Sequence, residues 1–393
     1  MCFKIFDFEF KKSKILKHID FKSVQLMILT IYLLSTSDIK INGVKSFIKD
    51  ISSDEKISFL LKPVSIDTII SDMNYSSLPP QPVNEHGLMC GLKRIEYFKS
   101  VQKKYMKIDD EEHSIIISIE NYIQENTKYY DTCVFIVSYM GKTIYGISDQ
   151  KRAYFPEKYF TTIKDTYKTY DNLCGYSKTI GSVIHEEYPD VSSNNWMNKF
   201  NDFDRNDQII NAYENIDMKE LLSQFIEIIS DFPKPNVVFQ DILPLLSNPF
   251  LSSLLFSSIM KQISTTSCTF DYVVGLESRG FFLAPIIAEK LGCAFIPIRK
   301  SGKLPPPVYT YSYEKEYGKD VAEISQKHKH GCRFLVVDDI LATGGSLLVS
   351  KRLLDHFEPK HISFFVLSKV IELEDVAKQT LGDDHRNVIS LFN

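Results

Sequence analysis

The C-terminal half of this 393-residue chain is predicted to fold as an α/β domain with a parallel sheet flanked by helices. Two strand–loop–helix patterns predict it. Phe334–Val337 is a short apolar run that precedes a glycine-rich loop and a helical pattern, and Tyr272–Gly275 precedes a second turn of this kind. The N-terminal half mixes helical patterns with two adjacent strand patterns, which indicates an α+β domain.

The length predicts two domains with a boundary near the middle of the chain. Residues 186–207 are rich in Asn, Asp and Ser, which prefer turns to helix interiors, so this stretch is the predicted linker. We therefore expect an N-terminal domain over residues 1–205 and a C-terminal domain over residues 211–393. Helical periodicity that resumes near Ile209 and continues through Ile229 is expected to open the second domain.

Charge and cysteine usage exclude several classes of function. A net charge of −4 gives no electrostatic reason to expect binding to nucleic acid or to an acidic membrane. The seven cysteines show no C-x-x-C pattern or metal-ligand spacing, which predicts reduced thiols, no protein metal site and a cytoplasmic location. The start of the chain is mixed in charge, unlike a secretory signal, and Val24–Leu34 is too short to span a bilayer.

The N-terminal half shows structural patterns but indicates no activity. Length and apolar periodicity predict helices over Phe21–Ser35, Gly91–Met106 and His113–Asn126. Thr132–Tyr139 and Thr143–Ser148 are predicted to be two strands of a β-hairpin. Cations beside aromatic residues after position 150 are more typical of a solvated face over a core than of a nucleic-acid surface.

The stretch after Phe334–Val337 predicts a binding site for a sugar phosphate. Asp338 and Asp339 follow the predicted strand and can accept hydrogen bonds from vicinal hydroxyls. A glycine-rich loop at a helix N-terminus follows them, and free backbone N–H groups there favour an anion. A phosphate beside a diol describes a ribose 5-phosphate. The loop residues are Thr343, Gly344, Gly345 and Ser346.

This stretch resembles the 5-phosphoribosyl-1-pyrophosphate (PRPP) motif of type I phosphoribosyltransferases. An apolar strand, an Asp pair and a Thr-Gly-Gly-Ser phosphate loop occur in that order. The pattern is neither the G-x-G-x-x-G of a dinucleotide site nor the Gly-Lys-Ser/Thr of a Walker loop.

From about Asn211 onward, under half of the chain, the sequence resembles the adenine phosphoribosyltransferase family. The resemblance implies a type I phosphoribosyltransferase fold with a small hood, and nothing comparable is seen in the N-terminal domain. The segments that carry it are the entry segment Phe232–Ile242, the pyrophosphate loop Gly275–Phe281 and the two ends of a mobile lid, Ile298–Pro305 and Tyr313–Lys319.

The resemblance assigns the pyrophosphate contacts. Arg279 can clamp pyrophosphate oxygens, together with backbone N–H groups from Ser278 to Gly280. Positive charge from the lid segment is expected to meet the phosphates of PRPP, and one arginine there is expected to reach across a dimer interface. These residues are Lys300 and Lys303, and for the interface Arg299.

The resemblance also assigns the base and the proton. Glu316, followed by Tyr317 in the lid, is expected to handle the proton at adenine N7, with Glu314 as the competing carboxylate. Main-chain groups of Val238 are expected to select adenine, with Phe239 as an apolar neighbour. Gln240 stands where many family members have Arg, and the small Ala342 is expected under the base or ribose.

The implied reaction is transfer of the phosphoribosyl group from PRPP to adenine, giving AMP and pyrophosphate. The resemblance implies Mg²⁺ carried with PRPP and a homodimer. Two alternatives remain open from the sequence. One is a PRPP-sensing regulator with a nucleic-acid-binding N-terminal domain, and the other is a phosphoribosyltransferase for another purine, such as hypoxanthine or guanine.

Overall fold

The computed structural model describes residues 27–51, 57–65, 78–102, 113–164, 167–170, 173–232, 234–235, 238–315 and 318–392. The chain divides into two compact units, Met1–Ile216 and Asp217–Asn393, called here the first and second unit. No helix within the described ranges has the length and apolar character that crossing a membrane requires.

The first unit is built on a mixed sheet of order β2-β1-β4-β5-β6, with β7 beside β5, and on a small sheet of order β3-β9-β8. β1 pairs in parallel with β2 and β4, and the other pairs are antiparallel. Its strands are β1 (Met27–Leu33), β2 (Ile57–Pro63), β3 (Gln81–Pro82), β4 (Ser114–Glu125), β5 (Tyr129–Tyr139), β6 (Lys142–Ile147), β7 (Ala153–Tyr154), β8 (Tyr167–Tyr170) and β9 (Leu173–Tyr176). Its helices are α1 (Asp38–Ile51), α2 (His86–Val101), α3 (Glu157–Lys164), α4 (Ile180–Glu187) and α5 (Arg205–Glu214).

Two of the helices predicted in this half are wrong. In the predicted helix Phe21–Ser35, residues 27–33 form the strand β1, and residues 21–26 lie outside the described ranges. The predicted helix His113–Asn126 forms the strand β4. Nearly every residue of β4 from Ser114 to Ile123 is buried. A strand buried on both faces does not need strict apolar–polar alternation, so periodicity alone does not distinguish it from a buried helix.

The predicted hairpin and the helix predicted over Gly91–Met106 are confirmed. β5 and β6 pair in antiparallel register, and Met140 and Gly141 between them have φ of 46° and 77°. Two consecutive positive φ values are typical of the two-residue turn that matches the twist of paired strands. The predicted helix corresponds to α2, which ends at Val101, and residues 103–106 lie outside the described ranges.

Residues 186–207 are packed within the first unit and do not form the predicted linker. Trp196 is fully buried, with its ring edge-on to Phe155 at 5.9 Å. Asp204 and Asp207 form a capping box that starts α5. The Asn and Asp residues here are exposed or partly buried, and they cap helices and shape turns around the buried Trp196, which is the other use of these residue types.

The helix predicted from Ile209 to Ile229 is also wrong, because the boundary between the units cuts through it. α5 ends at Glu214 in the first unit, α6 (Met218–Ser223) begins the second unit, and Ile228 and Ile229 lie in a strand.

A buried ion pair holds α5 to the first unit's sheet. Arg205 Nη1 and Nη2 each donate to one carboxylate oxygen of Asp131 at 3.0 Å, and both side chains are almost fully buried. The pair lies on a polar cavity of about 190 Å³, on which a second close pair, Arg94 with Glu120, also lies. Lys40 lines the same cavity, and burial lowers the pKa of its ammonium group.

The second unit has a seven-stranded sheet of order β14-β15-β13-β12-β16-β17-β18 and a separate two-stranded hairpin. β13, β12, β16, β17 and β18 run parallel, whereas β15 is antiparallel to both β13 and β14. Its strands are β10 (Glu227–Ser230), β11 (Val238–Asp241), β12 (Tyr272–Leu276), β13 (Ala294–Lys300), β14 (Val308–Lys315), β15 (Gly318–Ser325), β16 (Arg333–Leu341), β17 (His361–Lys369) and β18 (Val388–Ser390). After α6 its helices are α7 (Leu243–Ser247), α8 (Pro249–Ser264), α9 (Gly280–Leu291), α10 (Gly345–Leu354) and α11 (Glu374–Leu381).

This arrangement confirms the predicted parallel sheet, and the two predicted strand–loop–helix units are β12 with α9 and β16 with α10. Phe334 to Val337 of β16 are fully buried, as the apolar run predicts. The hairpin β10–β11 is the small hood.

Removing Arg205 should destabilise the first unit. Arg205→Leu is expected to lower the free energy of unfolding by about 3–5 kcal/mol, because the Asp131 carboxylate would remain buried without its counter-charge. Trp196 is the only tryptophan of the chain and is buried in this unit, so its fluorescence during urea unfolding measures the effect. The control is Lys158→Ala, which removes an exposed ion pair with Glu187 and should leave the midpoint almost unchanged. Equal midpoints for Arg205→Leu and the wild type would contradict the prediction.

Candidate active site

The site lies where two parallel strands of the second unit separate. β12 and β16 pair from Tyr272–Phe334 to Gly275–Val337. After that point β12 leads through α9 to β13 on one side, and β16 leads through α10 to β17 on the other. Chain connections that leave in opposite directions open a crevice at the carboxyl ends of the strands, the usual ligand position in such sheets.

Two buried carboxylates line the β16 side of this crevice. β16 continues to Leu341, so Asp338 and Asp339 lie within the strand and not at its end, and each is only 5% exposed. Ser278 Oγ, from the turn after β12, donates to Asp338 Oδ1 at 2.6 Å. Burial and then the charge of Asp339 raise the pKa of Asp338 to about 7, although the Ser278 hydrogen bond opposes the shift.

Arg279 connects three parts of the site. Its Nη2 lies 2.5 Å from Asp339 Oδ2, and its Nη1 donates to the Gln240 carbonyl oxygen at 2.7 Å. The guanidinium also lies 4.4 Å from the ring centroid of Phe239, which is cation–π distance. Arg279 therefore ties the hood strand β11 to the Asp pair, in addition to lying within the predicted pyrophosphate loop.

Gly280 allows the helix that follows Arg279 to approach β16. A Cβ atom at this position would lie 2.6 Å from the Val337 carbonyl oxygen and 3.2 Å from Asp338 Cα, both backbone atoms. Only glycine fits at such a distance. The start of α9 is thus held directly against the Asp pair.

The two glycines of the predicted phosphate loop have different surroundings. Gly344 has a φ of 82°, and a Cβ there would point towards Leu381 of α11 at 3.1 Å. A Cβ on Gly345, the first residue of α10, would meet only Thr343 Oγ1, at 3.8 Å. Glycine is therefore needed at position 344 because of its positive φ, whereas glycine at position 345 keeps the outer side of the loop open. Thr343 and Ser346 are exposed beside it, and Ala342 is partly buried.

Basic residues of the lid segment lie at the end of β13, next to the turn after β12. Arg299 makes two contacts of 3.2 Å with the Glu277 carboxylate of its own chain, and Glu277 also accepts the Lys300 amide at 2.9 Å. The Arg299 hydrogen bonds lower the pKa of Glu277. The guanidinium is thus held by Glu277 of its own chain, and its expected reach across a dimer interface stays a prediction. Lys300 and Lys303 are exposed.

Sequence reasoning missed the buried carboxylate of Glu323 on β15. Its oxygens accept three consecutive amides of the loop that carries Lys303, those of Gly302, Lys303 and Leu304. A carboxylate between the apolar residues Ala322 and Ile324 of a strand could have indicated a buried charge. Its hydrogen-bond partners, however, lie about 20 positions earlier in the chain, and the sequence alone does not show that they meet.

The remaining predicted residues are divided between the hood and the lid. Val238 on β11 is 62% exposed, and Phe239 and Gln240 are partly buried near Arg279. Glu316 and Tyr317 lie outside the described residues, so their predicted roles stay predictions.

Comparison with known proteins places the second unit in a family. The family model described as a phosphoribosyl transferase domain matches residues 254–385. The adenine phosphoribosyltransferase of Synechococcus sp. (strain JA-3-3Ab) is 44% identical over 34% of this chain and 75% of its own length. The adenine phosphoribosyltransferase of Acaryochloris marina is 41% identical over 43% of this chain and 97% of its own length.

A solved adenine phosphoribosyltransferase from Saccharomyces cerevisiae is also similar, at 33% identity, covering 44% of this chain and 98% of that one with a TM-score of 0.41. The high identity over nearly the whole length of the Acaryochloris marina protein is the decisive match. Through its second unit, this chain belongs to the adenine phosphoribosyltransferase family.

Proposed function

We propose that the second unit transfers the 5-phosphoribosyl group of Mg·PRPP to adenine, giving AMP and pyrophosphate. The observation that carries the proposal is the crevice between β12 and β16, where an Asp pair, an arginine and a glycine-rich loop come together. The relatives that this unit matches in sequence are named adenine phosphoribosyltransferases, which supports adenine as the base.

The crevice fits the two ends of a ribose 5-phosphate. The start of α10 offers backbone N–H groups to the 5′-phosphate, with Thr343 and Ser346 as hydroxyl donors. Asp338 and Asp339 lie just before this loop and can accept the vicinal ribose hydroxyls. The C1 end of the sugar then points away from the loop, towards the turn with Arg279.

The reaction breaks one bond at C1 and forms another. The C1–O bond to pyrophosphate breaks with its electron pair on the leaving oxygen, and adenine N9 bonds to C1 while the base loses a proton. Carboxylates beside the ribose stabilise the positive charge that develops on the sugar. Arg279, Lys300 and Lys303 supply positive charge for the leaving pyrophosphate. Glu316 remains the residue proposed, from resemblance, to handle the proton at N7.

Mg²⁺ is proposed to bind as part of the substrate, carried by the phosphates of PRPP. Mg²⁺ prefers phosphate oxygens and water to an all-protein cage. Asp338 and Asp339 already accept hydrogen bonds from Ser278 and Arg279, so this donor set fits a metal that substrate oxygens carry. The homodimer implied by the resemblance and the cytoplasmic location predicted from the cysteines also remain proposals.

The activity is tested with the full chain, Mg²⁺ and PRPP. Adenine is expected to cause stoichiometric release of pyrophosphate and formation of AMP, whereas hypoxanthine and guanine should give far less. Preferred turnover of another purine would overturn adenine as the base. Binding of PRPP without turnover of any base would indicate a PRPP-sensing protein in place of an enzyme.

The two glycines of the phosphate loop should respond differently to substitution. Gly345→Val is expected to weaken AMP binding by more than about tenfold, the worth of at least one charge-assisted hydrogen bond, because the side chain enters the open side of the loop. Gly344→Ala should instead cost about 1–2 kcal/mol of stability, since its φ of 82° is unfavourable for a residue with a Cβ atom.

Calorimetric AMP titration and differential scanning calorimetry separate the two effects. A Gly345→Val protein that binds AMP as the wild type does would remove this loop from the phosphate site.

The Asp338 pKa predicts how PRPP binding varies with pH. Folding raises this pKa from its usual 3.8 to about 7, so the stability that Asp338 contributes is present below pH 3.8 and is lost as the pH rises through 7. The ionised form is the better acceptor for ribose hydroxyls. The KM for PRPP should therefore fall as the pH rises, by about tenfold between pH 6 and pH 8.

The control for this pH profile is Asp338→Asn, which should bind PRPP more weakly and retain only the pH dependence of the substrate phosphates. Superimposable profiles for the variant and the wild type would show that Asp338 does not titrate in contact with PRPP.

A further inference from the structure

Glu323 is a buried carboxylate with an unusual set of partners. Its side chain on β15 is 2% exposed and lies opposite Arg299 in the register of β13 and β15. Oε2 accepts the Gly302 amide at 3.0 Å, and Oε1 accepts the amides of Lys303 at 2.7 Å and Leu304 at 2.6 Å. A buried anion of this kind must be fully hydrogen-bonded to be tolerated, and three amide donors achieve this.

The loop over residues 301–304 is shaped to surround an anion. Gly302 has a φ of 79°, and consecutive amides on either side of such a residue turn towards one point. Burial alone would raise the pKa of Glu323, but the amides of Gly302, Leu304 and Lys303 and the charge of Arg299 together lower it. The carboxylate is therefore ionised at neutral pH and fills the concavity.

This occupancy limits what the loop can offer a ligand. Amides that are bound to Glu323 cannot also bind a phosphate oxygen, so the loop contributes through its side chains. Lys300 and Lys303 are exposed at the end of β13, and the neighbouring strand β12 ends in the turn with Arg279. Glu277 fixes the Lys300 amide and Glu323 fixes the next residues, so both lysines start from anchored backbone.

We propose that Glu323 is a positioning residue that holds Lys303, whose amide it accepts, at the crevice for the pyrophosphate group of PRPP. The inference rests on the proposed function. The 5′-phosphate is assigned to the loop at the start of α10, on the other side of the crevice, so Glu323 should affect only one end of the substrate. Loss of its charge should weaken the binding of PRPP and pyrophosphate and spare that of AMP.

The test compares three ligands on the full chain by calorimetry. Glu323→Gln keeps the size of the side chain, but its NH₂ group cannot accept an amide hydrogen. Mg·PRPP and Mg·pyrophosphate are expected to bind about 10- to 100-fold more weakly, the worth of hydrogen bonds to a charged group, while AMP affinity stays within about twofold. In turnover, KM for PRPP should rise and KM for adenine should not. Glu323→Asp keeps the charge and should give an intermediate loss.

The matched control is Asp271→Asn. Asp271 also accepts a backbone amide and a guanidinium, those of Arg333, but at the amino ends of β12 and β16, whereas the crevice lies at their carboxyl ends. It should lower stability without changing the affinity of any of the three ligands.

Equal losses for all three ligands in Glu323→Gln, or no loss for any, would overturn the positioning role. If Glu323→Gln does not fold, the ratio of pyrophosphate to AMP affinity in Glu323→Asp decides the question, and an unchanged ratio overturns the proposal. Failure of the wild type to bind PRPP or AMP would be a different result, because it would overturn the proposed function itself.

Discussion

The site depends on one constraint, the charge balance of two carboxylates that are adjacent in a buried strand. Asp338 and Asp339 cannot both be ionised in such a place without partners. The turn after β12 supplies them, a hydroxyl from Ser278 and a guanidinium from Arg279. Gly280 lets this turn approach closely, because any Cβ atom there would collide with β16. The crevice is thus held in shape by the same groups that would contact a substrate.

Arg279 extends this constraint beyond the crevice. By donating to the Gln240 carbonyl and lying over Phe239, it links the hood to the Asp pair. A ligand that draws the guanidinium towards pyrophosphate would compete with both contacts. Substrate binding and hood position are therefore energetically coupled through a single side chain. Arg279 uses the main-chain oxygen of Gln240, so this link does not depend on the side chain at position 240.

How much of the fold and the site could be predicted from the sequence depends on the distance along the chain between the interacting groups. The Asp pair and the glycine loop are local patterns in one stretch, and the sequence predicts both strand–loop–helix units. Glu323 and Gly302 are 21 positions apart and meet only because β15 folds back on β13. The buried β4 looks like a helix because its alternation is interrupted at Ile116 and Asn121. Residues 186–207 look like a linker because helix caps and turns in a folded domain use the same Asn, Asp and Ser residues as an exposed linker does.

The most direct test of the account is a crystal structure of the full chain with AMP. In that structure the 5′-phosphate is expected to bind the amides of residues 343–346, and the ribose hydroxyls are expected within hydrogen-bond distance of Asp338 and Asp339. The base is expected beside the hood strand β11. AMP bound away from the β12–β16 crevice, for example in the polar cavity of the first unit, would contradict it.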